Sequence, residues 1–308
     1  MQYYPEGTLL DTTENQYYLS SPATLTDAMD RRLLLEARAT LCTEAHDLVV
    51  DLPCMKGIIP REEGALGIRE GTVRDVALLS RVNRPVCFYI QELTQDPEGK
   101  LVAILSRRAA QEECLAHYIN VLRPGDVIDG RVTHLERFGA FVDIGCGLVS
   151  LLPIDAISVS RIDHPRERFS VGMSIRAVVR SRENGRITLS HKELLGTWEE
   201  NVARFHLGET VAGVIRSVEP YGAFVELTPN LAGLAEARPD ILPGQHASVF
   251  IKSILPQRMK VKLVLIETFD RPLERPQPPE YFYRGDHLDR FLYSPLGCDK
   301  TVLTEFAS

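Results

Sequence analysis

Phe138-Gly139-Ala140-Phe141-Val142 returns 83 residues later as Tyr221-Gly222-Ala223-Phe224-Val225. The same offset carries Gly125-Asp126-Val127 onto Gly208-Glu209-Thr210, and Gly130-Arg131-Val132 onto Gly213-Val214-Ile215. Several matches at one fixed spacing mean tandem copies of one structural unit. A weaker copy lies upstream. Gly57-Ile58-Ile59-Pro60 echoes Ser150-Leu151-Leu152-Pro153, and Ile104-Leu105-Ser106-Arg107-Arg108 echoes Thr188-Leu189-Ser190-His191-Lys192, at offsets of 93 and 84. The loops of this first copy therefore differ in length. Thr43-Glu44-Ala45-His46 stands near where its aromatic motif would fall.

Each copy reads as short strands. Val127 to Leu135 is rich in β-branched residues, Gly139 to Ile144 alternates, and Ile175 to Arg180 is another strand. Asn184-Gly185 is a two-residue hairpin signal leading into Arg186-Ile187-Thr188-Leu189-Ser190. Short antiparallel strands packed into about 70 residues suit a small closed barrel. Period two places Ala140, Val142 and Ile144 on the inner face and Phe141 on the outer one. The third copy repeats this with Ala223, Val225 and Leu227 inward and Phe224 outward. Ile175, Ala177 and Val179 inward leave Arg176 and Arg180 pointing out.

Between the copies the pattern turns helical. Ser106 to Leu115 is built of helix formers. Thr197 with Glu200 three residues on is a capping box, and the single Trp198 reads as a packing anchor against a barrel. Residues 1–22 read as an irregular arm, and Leu25 to Leu35 as a helix capped by Thr24 or Thr26. The resulting division is an N-terminal arm and helix (1–35), a degenerate barrel (36–108), a linker helix (109–122), the middle barrel (123–192), a second linker helix (193–206), a shortened barrel (207–267) and a proline-rich linker with an aromatic tail (268–308). Tyr281 to Phe306 regains aromatics, so the tail is expected to dock rather than float. The expected fold class is mainly β, with tandem barrels joined by short helices.

Composition narrows the function. Of 308 residues, 44% are hydrophobic and 25% charged, enough to build ordinary soluble cores. No apolar run approaches the roughly 20 residues needed to span a bilayer, and Met1-Gln2-Tyr3-Tyr4-Pro5-Glu6 has no secretory character. The six cysteines form no C-x-x-C pair and read as buried free thiols of a cytoplasmic protein. Net charge is −7, but residues 123–192 carry 11 Lys and Arg against 8 Asp and Glu, while residues 1–122 carry 12 against 18. An anionic partner would be held on the middle segment.

A large ring on the water side of a strand needs a partner. Bases stack on Phe and Tyr, and phosphates need Lys or Arg nearby. The candidates in the middle copy are Phe138 and Phe141, with Arg137, Arg176, Arg180, Arg186 and Lys192, and Arg182 also flanks the hairpin. In the third copy they are Tyr221 and Phe224 with Lys260 and Lys262. The alternative for the rings is packing under a loop or against the next barrel. The chain contains no H-E-x-x-H, no G-x-x-x-x-G-K-[ST] and no G-x-S-x-G. His134 and His191 read as surface or nucleic-acid contacts, and Asp126, Asp129 and Asp143 as solvated turn residues. No enzyme, metal or cofactor is expected.

The glycine–valine strand, Phe-Gly-Ala-Phe-Val, the Gly-Arg-Ile-Thr-Leu-Ser-His-Lys ending and the tandem arrangement resemble the S1-type RNA-binding domain. The resemblance implies five-stranded OB-fold barrels. It is strong over 123–192, clear over 207–267 and weak over 36–108. Leu195 to Phe224 is especially like the bacterial ribosomal members. The resemblance implies that Phe138, Phe141, Tyr221 and Phe224 stack bases and that Arg186 and Lys260 serve as the late basic residue. The family's third-strand histidine is replaced by Pro153 in the middle copy and Glu236 in the third, and Arg182 occupies its acidic position. The third copy also lacks the loop through Val159-Ser160-Arg161-Ile162-Asp163-His164-Pro165. The implied function is non-enzymatic binding of single-stranded RNA, including mRNA, with the small ribosomal subunit as partner, by a cytoplasmic monomer and principally through the middle copy. A protein-interaction scaffold on the ribosome or RNA polymerase is the competing expectation, and a regulatory module of RNA decay a third.

Overall fold

A computed structural model describes residues 3–183, 185–270 and 276–306. Asn184 of the expected hairpin and residues 271–275 of the proline-rich linker lie outside them. The chain is mainly β, with three closed five-stranded barrels in tandem. It divides into two compact units. One runs to Leu122 and includes Asp143–Val149, and the other comprises Arg123–Val142 and the chain from Ser150 onward.

The first unit opens with two helices, α1 (Thr13–Leu19) and α2 (Pro22–Asp30). Thr12 caps α1, so the arm is not irregular as expected. Ser21, not Thr24 or Thr26, caps α2, with Thr24 completing a capping box and Pro22 in the first turn. The helix stops at Asp30, and Leu35 begins a strand instead of ending a helix. The barrel is β1 (Leu35–Cys42), β2 (Leu48–Leu52), β3 (Met55–Ile59), β4 (Pro85–Gln95) and β5 (Leu101–Ser106), in the closed order β1-β2-β3-β5-β4. A short α3 (Val76–Leu79) lies in the β3–β4 connection. Ser106 caps α4 (Arg107–His117), which confirms the helix read from Ser106 to Leu115.

Asp143 corrects an expectation. It is 2% exposed, not a solvated turn residue. Its carboxylate accepts the backbone N–H groups of Glu6 at 2.7 Å, Gly145 at 2.9 Å and Gly147 at 3.0 Å, which draws it inside the unit. Burial, followed by the nearby Glu6 charge, pushes its pKa up to about 7. Glu6 itself is held ionised by buried Arg107, whose Nε and Nη2 lie 2.6 and 3.0 Å away. Cys87, Cys114 and Cys146 are buried free thiols, whereas Cys42, Cys54 and Cys298 are only half-buried.

In the second unit the middle barrel comprises β6 (Val127–Glu136), β7 (Gly139–Asp143), β8 (Val149–Pro153), β9 (Ser174–Glu183) and β10 (Arg186–Ser190). The third comprises β11 (Thr210–Glu219), β12 (Gly222–Thr228), β13 (Leu231–Ala235), β14 (His246–Leu255) and β15 (Lys260–Phe269). Both close in the same circular order as the first barrel. Between them α5 (Trp198–Val202) starts on the expected Thr197–Glu200 capping box. Trp198 is 2% exposed in the core of the third barrel, so it is the packing anchor its sequence context implies.

The tail docks as expected. Tyr281, Tyr283, Leu288 and Phe306 pack around Val178 of the middle barrel and Leu194 of the turn that follows it. The Val127 N–H donates to Asp286 O at 2.8 Å. Further on, Tyr293 enters the core of the third barrel and its hydroxyl donates to Asn230 O at 2.6 Å. The hairpin β16 (Arg290–Leu292) and β17 (Leu303–Glu305) closes the described chain. No helix among the described residues is long and apolar enough to cross a membrane.

Candidate nucleic-acid interface

Strand alternation builds the site. Ala140 and Val142 are sealed in the middle core, which turns Phe141 to the outer face. Phe138 is 57% exposed just before the strand, and its ring meets Phe141 edge to face with centroids 5.9 Å apart. Gly139 lets β7 start close against β8, because a Cβ there would lie 2.5 Å from the Leu152 carbonyl oxygen. The third barrel repeats the arrangement. Tyr221 is 70% exposed and meets Phe224 at 6.2 Å, again edge to face. Burying one such ring is worth roughly 1.5–3 kcal/mol. Two barrels that both forgo it at the same positions present a surface for something flat and apolar.

One expectation on β12 needs correcting. Leu227 is half-buried at the margin of the core, whereas Glu226 and Thr228 are buried. The cause is an irregularity in the β12–β13 register between Glu226 and Thr228. Buried Glu226 is matched by Arg168 at 2.5 Å and by Arg216 at 2.8 Å, and Arg216 also reaches Glu167.

The cations fall into three groups. In the third barrel, Phe224 stands opposite Leu234 and Leu234 opposite Lys262, so ring and ammonium share one row across three strands. Lys260 lies two residues before Lys262 on the same outward face. In the middle barrel, Leu151 pairs with Thr188, and exposed Arg186 lies two residues before it. Arg137 is exposed beside Phe138. The side chains of Arg137, Arg186, Lys260 and Lys262 make no hydrogen bond or ion pair among the described residues.

The second group gathers behind Phe138. Its carbonyl accepts the Ile154 N–H at 2.9 Å, and Asp155 follows. Lys192 Nζ donates to Asp155 O at 3.2 Å, and Arg180 lies 3.9 Å from the Asp155 carboxylate. Arg176 is placed apart from both. Its guanidinium donates to Tyr283 O at 3.1 Å and Gly285 O at 2.8 Å, so the tail occupies it.

The two histidines separate. His134 is exposed, its ring 6.1 Å from Phe141 and its Nε2 2.7 Å from Glu136. This adds a third ring to the platform, from the first strand of the barrel rather than the third. His191 is not at the surface. It is 2% exposed, its Nδ1 is 2.9 Å from Ile157 O, and burial pushes its pKa down to about 4. The β10 strand ends one residue earlier, and the chain turns inward there. Among the described residues no group of His, Cys, Asp or Glu is placed to hold a metal ion.

This geometry meets its relatives on the same barrel. Residues 121–192 match the family described as the S1 RNA binding domain. Small ribosomal subunit protein bS1 of Staphylococcus aureus (strain COL) is 31% identical over 277 residues, covering 84% of this chain and 66% of its own length. The bS1 protein of Staphylococcus epidermidis is 30% identical over 280 residues, covering 85% and 67%. This chain thus spans about two thirds of the length of these curated relatives. Among solved structures, the solution structure of GSP13 from Bacillus subtilis is 30% identical and covers 22% of this chain and 55% of its own, with a TM-score of 0.22. The barrel order, the repeated aromatic motif and identity sustained along most of the sequence agree: the chain belongs to the family of small ribosomal subunit protein bS1.

Proposed function

We propose that this protein binds single-stranded RNA, without catalysis, through the outward faces of its middle and third barrels. The observation that carries the reading is the twice-built platform: an exposed ring, a second ring edge to face with it, and cations on the same face with no protein partner. Each stacked base is worth roughly 1–3 kcal/mol, with little dependence on which base it is. Arg137, Arg180, Arg186, Lys192, Lys260 and Lys262 supply phosphate contacts. Binding is micromolar in order and weakens steeply with salt. The kinship with bS1 supports RNA as the ligand and the small ribosomal subunit as the partner.

The first barrel favours a second role. Its β2 reads Leu-Val-Val-Asp-Leu, without an aromatic, and residues 1–122 carry more acids than bases. A barrel with neither stacking rings nor excess cations suits docking to a protein. Titration with short fluorescent RNA and DNA oligonucleotides at two salt concentrations tests the main reading. Saturable, salt-sensitive RNA binding supports it. No binding at low salt leaves the protein-docking role as the function of the whole chain.

A further inference from the structure

The loop that the third barrel lacks is supplied by its neighbour in the same unit. The middle barrel sends Val159–Arg168 across to the third. The Val159 N–H donates to Asn230 Oδ1 at 3.0 Å, and the Ser160 N–H to Pro229 O at 3.0 Å. Ser160 Oγ reaches Thr228 O at 3.3 Å. At the far end of the loop, Arg168 pairs with Glu226 at 2.5 Å and Glu167 pairs with Arg216. Glu226 lies two residues from Phe224 on β12, on the same face as that ring. A carboxylate beside a stacking platform would repel phosphate, and here two guanidinium groups neutralise it.

The chain enters the loop from the middle barrel through Ile154, whose N–H donates to Phe138 O at 2.9 Å. A groove of about 510 Å³ runs from Ile154 and Asp155 to Arg161 and Asp163. Asp155 is the residue around which Lys192 and Arg180 gather behind Phe138. Two cations on the loop are uncommitted. Arg161 and Arg166 are exposed, and neither side chain has a hydrogen bond or ion pair among the described residues.

We propose that the loop from Val159 to Arg168 is a binding bridge: an RNA strand held on Phe138 and Phe141 continues along it to Phe224 and Tyr221, with Arg161 and Arg166 contacting its phosphates. The proposal rests on the RNA-binding reading above. It makes the two barrels one site, longer than either alone.

The test compares oligouridylates of about 6 and about 20 nucleotides, one short and one long against the roughly 4–16 nucleotides that a single barrel of this kind covers. In the full chain, Arg161→Ala with Arg166→Ala is expected to weaken the long RNA about tenfold and to lower its salt slope by about 1.4, the share of two single-strand phosphate contacts. The short RNA should bind as to the wild type. Equal weakening of both lengths overturns the bridge, because the arginines then serve one barrel. An unchanged long-RNA affinity also overturns it. Phe138→Ala with Phe141→Ala, and Tyr221→Ala with Phe224→Ala, separate the two levels. If these lose the long RNA while the arginine variant keeps it, the bridge falls and the RNA reading stands. If all three variants keep it, both fall.

Discussion

Phe224 and Lys262 share one row of the third barrel, with Leu234 between them. The register fixes this relationship. Leu234 faces Phe224 across the antiparallel β12–β13 pair, and Lys262 faces Leu234 across the parallel β13–β15 pair. In the proposed binding mode, a base on the ring directs its phosphate along this row to the ammonium. Lys262→Ala is expected to weaken RNA binding equally for all sequences and to lower the salt slope by about 0.7, the share of one single-strand contact. Titration at several salt concentrations reads the slope, and an unchanged slope counts against the row. Lys262→Arg should restore it.

Arg176 makes the opposite prediction. Its donors are spent on Tyr283 O and Gly285 O, and its backbone N–H donates to the Tyr281 hydroxyl at 2.8 Å. Arg176→Ala should leave RNA affinity within about twofold of wild type while weakening the hold on the tail by about 1–2 kcal/mol. Limited proteolysis should cut the tail of this variant faster. A large loss of RNA affinity would return Arg176 to the binding surface.

Buried His191 in the second unit and buried Asp143 and Glu36 in the first should contribute to stability with opposite dependence on pH, with Glu6, held ionised by Arg107, opposing the latter two. In the second, the buried neutral His191 has its pKa lowered from 6.5 to about 4. The unfolded chain binds that proton and the fold does not, so stability rises with pH across this window, by on the order of 3 kcal/mol. In the first, burial raises Asp143 and Glu36 to about 7, from 3.8 and 4.5. There the fold keeps protons that the unfolded chain has released, so these groups make stability fall as pH climbs from about 4 to about 7. Trp198, the only tryptophan, reports unfolding of the second unit, and amide hydrogen exchange resolves both. His191→Ala that left the pH dependence of the second unit unchanged would contradict this.

Tyr293→Phe deletes one buried donor. The Asn230 carbonyl is then unmatched, at a cost of about 1–2 kcal/mol. For a unit of this size that lowers the melting temperature by about 2–8 °C. An unchanged melting curve would mean that the carbonyl has another partner.

The period-two pattern in Gly139–Ile144 is enough to separate Phe141 from Ala140 and Val142, because an inward and an outward residue differ in every step. The repeat then transfers the platform to Tyr221 and Phe224 without further argument. Caps are legible for the same local reason, as Thr197 with Glu200 demonstrates. Residues whose surroundings come from distant chain are not. His191 looks like a strand-edge histidine until Ile157 and Tyr281 close over it. Asp143 looks like a turn residue until the backbone of Glu6, 137 positions away, donates to it. Leu227 breaks the expected alternation at the register irregularity between Glu226 and Thr228, and two arginines from other elements make the burial of Glu226 tolerable.

The most direct measurement is the affinity of the Phe138→Ala, Phe141→Ala double variant for single-stranded RNA, with circular dichroism to establish that the barrels are intact. Removing two stacking rings should cost roughly 1–3 kcal/mol for each base released, a loss of tenfold or more. A folded double variant that still bound RNA as the wild type does would mean that the open rings of the middle barrel are not where this protein meets its ligand.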